Sequence, residues 1–152
     1  ERSGIAGVAR SKRGVEKIRK MAAAELNDDG TPLIQDASFK RKVAELEIDL
    51  TALEFTELRT LAAESAGKGP GPESSLLKIK GTEIQQRLTE LALEASGHYA
   101  SPYLRDAGDN ARIGPEYAVG RAGAYFNGRK TSIYGGSNEI QRNIIAKMVL
   151  GL

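Results

Sequence analysis

Cysteine and tryptophan are missing from the 152 residues, histidine occurs once, at His98, and aromatic residues make up 5%. Without cysteine there is no disulfide, no thiolate nucleophile and no sulfur ligand, a composition that fits a reducing compartment. A single histidine leaves no Ser–His–Asp arrangement that is not built on His98. With no cysteine or second histidine beside it, His98 also has too few companions for a metal site. Charge of one sign is lacking too. Twenty-two basic against 20 acidic residues give a formal +2, without the strong basic excess of a nucleic-acid binder. No apolar run approaches the roughly 20 residues of a membrane span. The opening "ERSGIAGVAR" has no initiator methionine and no secretory pattern, and is read as the start of a piece of a longer protein.

What is present is helical patterning. Hydrophobic residues are 40% and charged residues 28%, ordinary for one globular domain with a real core. From Phe39 to Leu53, apolar residues fall at Phe39, Val43, Leu46, Leu50 and Leu53, a helix stripe. Ile48, Phe55, Leu58 and Ala62 form a second stripe, so this helix of about thirty residues is predicted to be covered on two sides. Asp36 is its expected N-cap. "GKGPGP", residues 67–72, ends it, and a second helix over 73–96 carries Leu77, Ile84, Leu88, Leu91 and Ala95 at heptad spacing, with Gly97 as a C′ residue. The pair is predicted to form an antiparallel hairpin. An Ala-rich helix over 4–26 precedes it and ends at "NDDGTP"; residues 97–115 read as irregular. A short helix over 115–126 and a closing helix over 138–150 follow, the latter with Ile140, Ile144 and Met148 as its inward face. No alternating strand pattern of useful length occurs. The fold class is all-α.

Most local motifs have plain readings. "RSKRGVEKIRK", residues 10–20, holds six basic residues but also Glu16, and reads as the solvated face of the first helix rather than a nucleic-acid or membrane patch. "GKGPGP" is a turn, because Ala62 stands where a phosphate-binding loop needs its first glycine. The acids of "AELEIDLTALE" read as the wet edge of their helix. The ending, "SIYGGSNEIQRNIIAKMVLGL", is different. Gly135 and Gly136 permit backbone angles and close approaches that side chains block, Ser137 is a good N-cap, and Glu139 puts a carboxylate in the first helical turn. A helix N-terminus presents free N–H groups to an electron-rich ligand.

"KTSIYGGSNEIQRNIIAKMVLGL" closely resembles the C-terminal signature of acyl-CoA dehydrogenases, in which an aromatic, a glutamate-or-glycine position, Gly and Ser/Thr lead into "xxIQR" and the last helix. "FKRKVAELEIDLTALEF" resembles a long helix of that family's C-terminal domain, and "ERSGIAGV" the segment that joins it to a middle β-domain. The resemblance implies that residues 1–152 are the C-terminal helical domain alone, up-and-down and four-helix bundle-like, with an N-terminal helical domain and a β-domain lying outside this chain. It implies FAD as cofactor, an acyl-CoA substrate oxidised to its trans-2-enoyl thioester, and electron-transfer flavoprotein or a similar acceptor. It also implies a homo-oligomer (dimer or tetramer) or a hetero-oligomer with a homologous subunit, in the bacterial cytoplasm or the mitochondrial matrix.

The same resemblance assigns roles. The residue after the aromatic, here Gly135, supplies a backbone N–H to the thioester oxygen; in many members its side chain is the glutamate base, which glycine lacks. Members similar to the isovaleryl and long-chain types place the base in an "ER" pair opening the first helix, and Glu1-Arg2 stands at the matching place. Glu1 is thereby implied as base and Arg2 as a residue that holds the acyl-CoA or orients the base. The alternative is that Glu1 is a surface residue at a domain junction of a weakly active or non-catalytic homologue. Tyr134 matches the aromatic that lines the acyl pocket. Gly136, Ser137 and Glu139 match the turn and positions that contact the flavin, although Glu139 is glutamine in several members, an easier neighbour for a flavin phosphate. Two departures stand out: "ELNDDGTPLIQ" replaces an Arg-x-x-Phe-Gly motif and "ASGHYASPYLRDAG" a Leu-Gly-Gly-x-Gly segment. Both normally reach FAD across a dimer interface, so their loss implies altered FAD contacts or a different partner chain.

Overall fold

The computed structural model describes residues 6–102 and 113–152. Five helices form: α1 (Val8–Ala24), α2 (Ala37–Ser65), α3 (Glu73–Glu94), α4 (Arg121–Gly128) and α5 (Asn138–Leu150). Among the described residues the only strand-like pairing is an isolated bridge between Leu26 and Pro32. The all-α expectation holds.

Helix α1 turns Val8, Ser11, Val15, Ile18, Met21 and Ala22 inward, the i, i+3, i+4 rhythm of a one-sided helix. It is shorter than predicted at both ends. It begins after Gly7, whose φ of 64° sets a left-handed entry, and stops where Glu25 goes extended. The Asp29 carboxylate accepts hydrogen bonds from the backbone N–H and the hydroxyl of Thr31, closing the turn before α2. Asp36 caps α2 as predicted, its carboxylate 2.7 Å from the Phe39 N–H. After α2 the chain reverses through Gly67, φ 80°, whose own angle a side chain would strain.

Interhelix ion pairs fix the directions. Lys42–Glu94 (2.7 Å) and Arg87–Asp49 (2.6 Å) run α3 antiparallel to α2. Arg19–Glu47 (2.8 Å) and Lys12–Glu54 run α1 antiparallel to α2. The stretch 10–20 is thus a solvated face, and the supposed wet edge of α2 supplies its acidic partners. These pairs are exposed, so each contributes on the order of 0–1 kcal/mol and sets register more than stability.

The core lies among α1, α2 and α3, with Phe39, Val43, Leu46 and Ile84 almost fully enclosed. Gly81 lets the chain cross there at close range, because a Cβ on it would stand 2.9 Å from the Cα and carbonyl oxygen of Ala6. Tyr117, in a 3-10 turn over Glu116–Ala118, packs against the core and donates its hydroxyl to Glu25; burial and that carboxylate push its pKa up to about 12. This turn occupies part of the predicted 115–126 helix, and α4 proper begins only at Arg121, after a left-handed Gly120.

Two expectations about covered faces fail within this chain. Ile48, Phe55 and Leu58 of α2 are exposed. So are Ile140 (52%) and Met148 (55%) of α5, whose one buried residue is Asn138. Periodicity identified apolar faces correctly, but no element among the described residues covers them.

Candidate functional site

The turn ahead of α5 carries consecutive left-handed glycines, Gly135 at φ 68° and Gly136 at φ 83°. L-residues with side chains rarely adopt either angle. The two differ in surroundings. A Cβ on Gly136 would meet the Gln141 amide at 2.7 Å, whereas a Cβ on Gly135 would project into open space. The left-handed pair turns the chain so that Ser137, in extended conformation, caps α5 through its hydroxyl to the Ile140 N–H at 3.4 Å. Among the described residues the Gly135 N–H finds no acceptor.

Gly135 faces two cavities. One, of about 300 Å³, lies between the ends of α2, α3 and α5 and is lined by Glu57, Leu61, Lys78, Ile144 and Met148. The other, of about 620 Å³, runs from Tyr134 and Gly135 to Gln85 and the start of α1 at Val8, Arg10 and Arg13. Glu57 and Lys78 line both, so Gly135 stands at a divide flanked by one carboxylate and one ammonium. Burial, with a smaller contribution from Glu54, raises the Glu57 pKa from its ordinary value. Burial lowers the Lys78 pKa, against a partial upward pull from Glu139.

The expected residues fall as follows. Tyr134, Gly135, Gly136, Ser137 and Glu139 lie together on the turn and the first helical residues, with Tyr134 lining the larger cavity. Glu139 is exposed, and its pKa is lowered first by its own backbone N–H and then by the Ser137 hydroxyl; Arg142 stands 3.5 Å away. Glu1 and Arg2 lie outside the described residues. Sequence reasoning passed over Glu57, Lys78 and Asn138, because a lone charged or amide residue inside a helix reads as surface. A signal existed for Lys78: it sits between Leu77 and Ile79 and one turn before Thr82, on the side of α3 that also holds Gly81.

Residues 1–150 match the model of "Acyl-CoA dehydrogenase, C-terminal domain". The chain belongs to the acyl-CoA dehydrogenase family. A chain of the ChsE4–ChsE5 complex from Mycobacterium tuberculosis is 25% identical, with a TM-score of 0.73 over 95% of this chain and 36% of that one. Butyryl-CoA dehydrogenase from Megasphaera elsdenii has the same fold at 18% identity, TM-score 0.75, over 98% of this chain and 36% of its own. A glutaryl-coenzyme A dehydrogenase in its glutaryl-CoA complex does so at 18% identity, TM-score 0.76, over 99% and 35%. The chain therefore spans about a third of the length of these family structures. No curated protein sequence matches it significantly. No helix among the described residues is long and apolar enough to cross a membrane.

Proposed function

We propose that residues 1–152 form the C-terminal helical domain of an FAD-dependent acyl-CoA dehydrogenase-like protein. In it they supply the oligomer core and one wall of the flavin and acyl site. The reading is supported by one observation above the others: the Gly135 N–H, which has no acceptor among the described residues, lies beside the open cavities at the position the resemblance gives to the oxyanion donor. An α-proton of a thioester is far too weak an acid for a carboxylate unless charge growing on the thioester oxygen meets a fixed donor. A backbone N–H held in a left-handed turn is such a donor and needs no side chain. Glu1 takes the α-proton in this account, Arg2 and Tyr134 hold the acyl thioester, and Gly135 stabilises the oxygen.

The turn also fits the cofactor. Gly136 leaves no side chain between the turn and Gln141, and α5 begins directly after it with Ser137 as its cap. Gly136, Ser137 and Glu139 would hold FAD, with Arg142 offsetting the Glu139 charge. When bound, FAD accepts the hydride that leaves the β-carbon.

A second reading is favoured by the exposed apolar residues of α2 and α5 together with the glycine at 135. In it the protein is a non-catalytic subunit paired with an active homologue, an arrangement that the likeness to a chain of the heteromeric ChsE4–ChsE5 complex supports. Flavin content tests the proposal. The complete protein should purify with FAD, and residues 1–152 alone should neither retain FAD nor oxidise an acyl-CoA. A complete protein that is flavin-free, alone and with its partner, contradicts both the cofactor and the enzyme assignment.

A further inference from the structure

We propose that Lys78 is a positioning residue for the glycine turn, its ammonium bridging the two ends of residues 132–138 and so fixing the direction of the Gly135 N–H. The inference rests on the donor role given to Gly135 above. The turn has little to hold it by itself. Gly135 and Gly136 have no side chains, and those of Ile133 and Tyr134 are exposed. Its backbone contacts are to Lys130, from the N–H groups of Ile133 and Tyr134 at 2.9 and 3.3 Å, and from the Gln141 N–H to the Ser137 carbonyl oxygen at 3.0 Å, where α5 begins.

Lys78 reaches across from α3 to both ends. Its Nζ lies 3.4 Å from the Ser132 carbonyl oxygen, before the turn, and 2.8 Å from Asn138 Oδ1, at the first residue of α5. Lys78 and Asn138 are 7% and 5% exposed; the bond to Asn138 is buried and that to Ser132 partly so, and an ammonium left unpaired there would be costly. The orientation of Asn138 is determined by its neighbours. An ammonium only donates, so Asn138 must present its carbonyl oxygen to Lys78. Its amide then donates to Thr82 Oγ1 at 3.2 Å, whose own hydroxyl donates to the Ile79 carbonyl at 2.8 Å. Every link in this chain is directional, and it ends on rigid helix α3. Lys78 also lines both cavities that meet at Gly135, so a displaced ammonium and a displaced turn affect the same space.

The test uses the complete flavoprotein with Lys78→Met, which keeps the apolar stem and removes the donors, and Lys78→Arg, which keeps them. Butyryl-, isobutyryl-, octanoyl- and palmitoyl-CoA serve as probes, and amide hydrogen exchange is followed by mass spectrometry. Lys78→Met should accelerate exchange about tenfold in the peptide spanning 132–141 and leave α1 and α2 unchanged. It should slow flavin reduction by whichever probe the wild type oxidises by about a hundredfold, with KM within about threefold. Lys78→Arg should restore most of both. Thr82→Val, a milder break in the same chain, should give about a threefold effect and serves if Lys78→Met does not fold. Unchanged exchange in 132–141, acceleration spread evenly over α1 to α3, or locally faster exchange with undiminished flavin reduction each overturns the proposal. If no probe reduces the wild-type flavin, the enzyme reading fails instead, and the exchange pattern alone decides whether Lys78 holds the turn.

Discussion

Replacing Glu1 with glutamine in the complete flavoprotein is expected to slow flavin bleaching by an oxidisable acyl-CoA by about three orders of magnitude, with FAD still bound. The amide keeps the size of the side chain and loses only the ability to take a proton. In the proposed reading Gly135 gives only a backbone donor, where the resemblance places a glutamate in many members, so a base is required elsewhere. Stabilising the thioester oxygen lowers the barrier without removing the α-proton, so a second group must take it. Glu57→Gln is the matching control. Glu57 lines both cavities beside Gly135 and its pKa is raised by burial, so it is the carboxylate that the described residues offer in place of Glu1. With Glu1 as base, Glu57→Gln should change bleaching by less than about tenfold. An unchanged rate in Glu1→Gln with a collapse in Glu57→Gln transfers the role to Glu57.

Phe39→Ala should destabilise the domain by about 3–5 kcal/mol, read as a lower denaturant midpoint with the same slope. Phe39 is 1% exposed in the first turn of α2, with its N–H tied to Asp36. Its ring belongs to the core that joins α1, α2 and α3, so truncation leaves a cavity that three helices border and none can easily fill. Asp36→Ala, which removes the cap and keeps the ring, should cost only about 1 kcal/mol. If the two variants lose similar stability, Phe39 is not the core element described.

The parts of this molecule that were legible in the sequence are those decided by local chemistry. Asp36 and Ser137 cap their helices because a short side-chain oxygen at that position meets a free N–H regardless of what surrounds it. The α2–α3 hairpin followed from two apolar stripes and a glycine-proline break. Gly135 and Gly136 adopt the left-handed angles that only glycine takes cheaply. What was not legible depends on distant partners. Ile140 and Met148 have the period of an inward face, but period does not say whether anything lies over them. Lys78 looked like a surface charge because its acceptors lie 54 and 60 residues further along the chain. The left-handed Gly120 that delays α4, and the 3-10 turn placing Tyr117 against Glu25, likewise answer to packing rather than pattern.

Gly135 is proposed to belong to a working acyl-CoA oxidising site. This proposal is tested most directly by mixing the complete protein with acyl-CoA thioesters without oxygen and following the flavin absorbance and the thioester product together. The bound flavin should bleach, with one trans-2-enoyl-CoA formed per flavin reduced. Bound flavin that no acyl-CoA bleaches, whether the protein is alone or with its partner subunit, would contradict it.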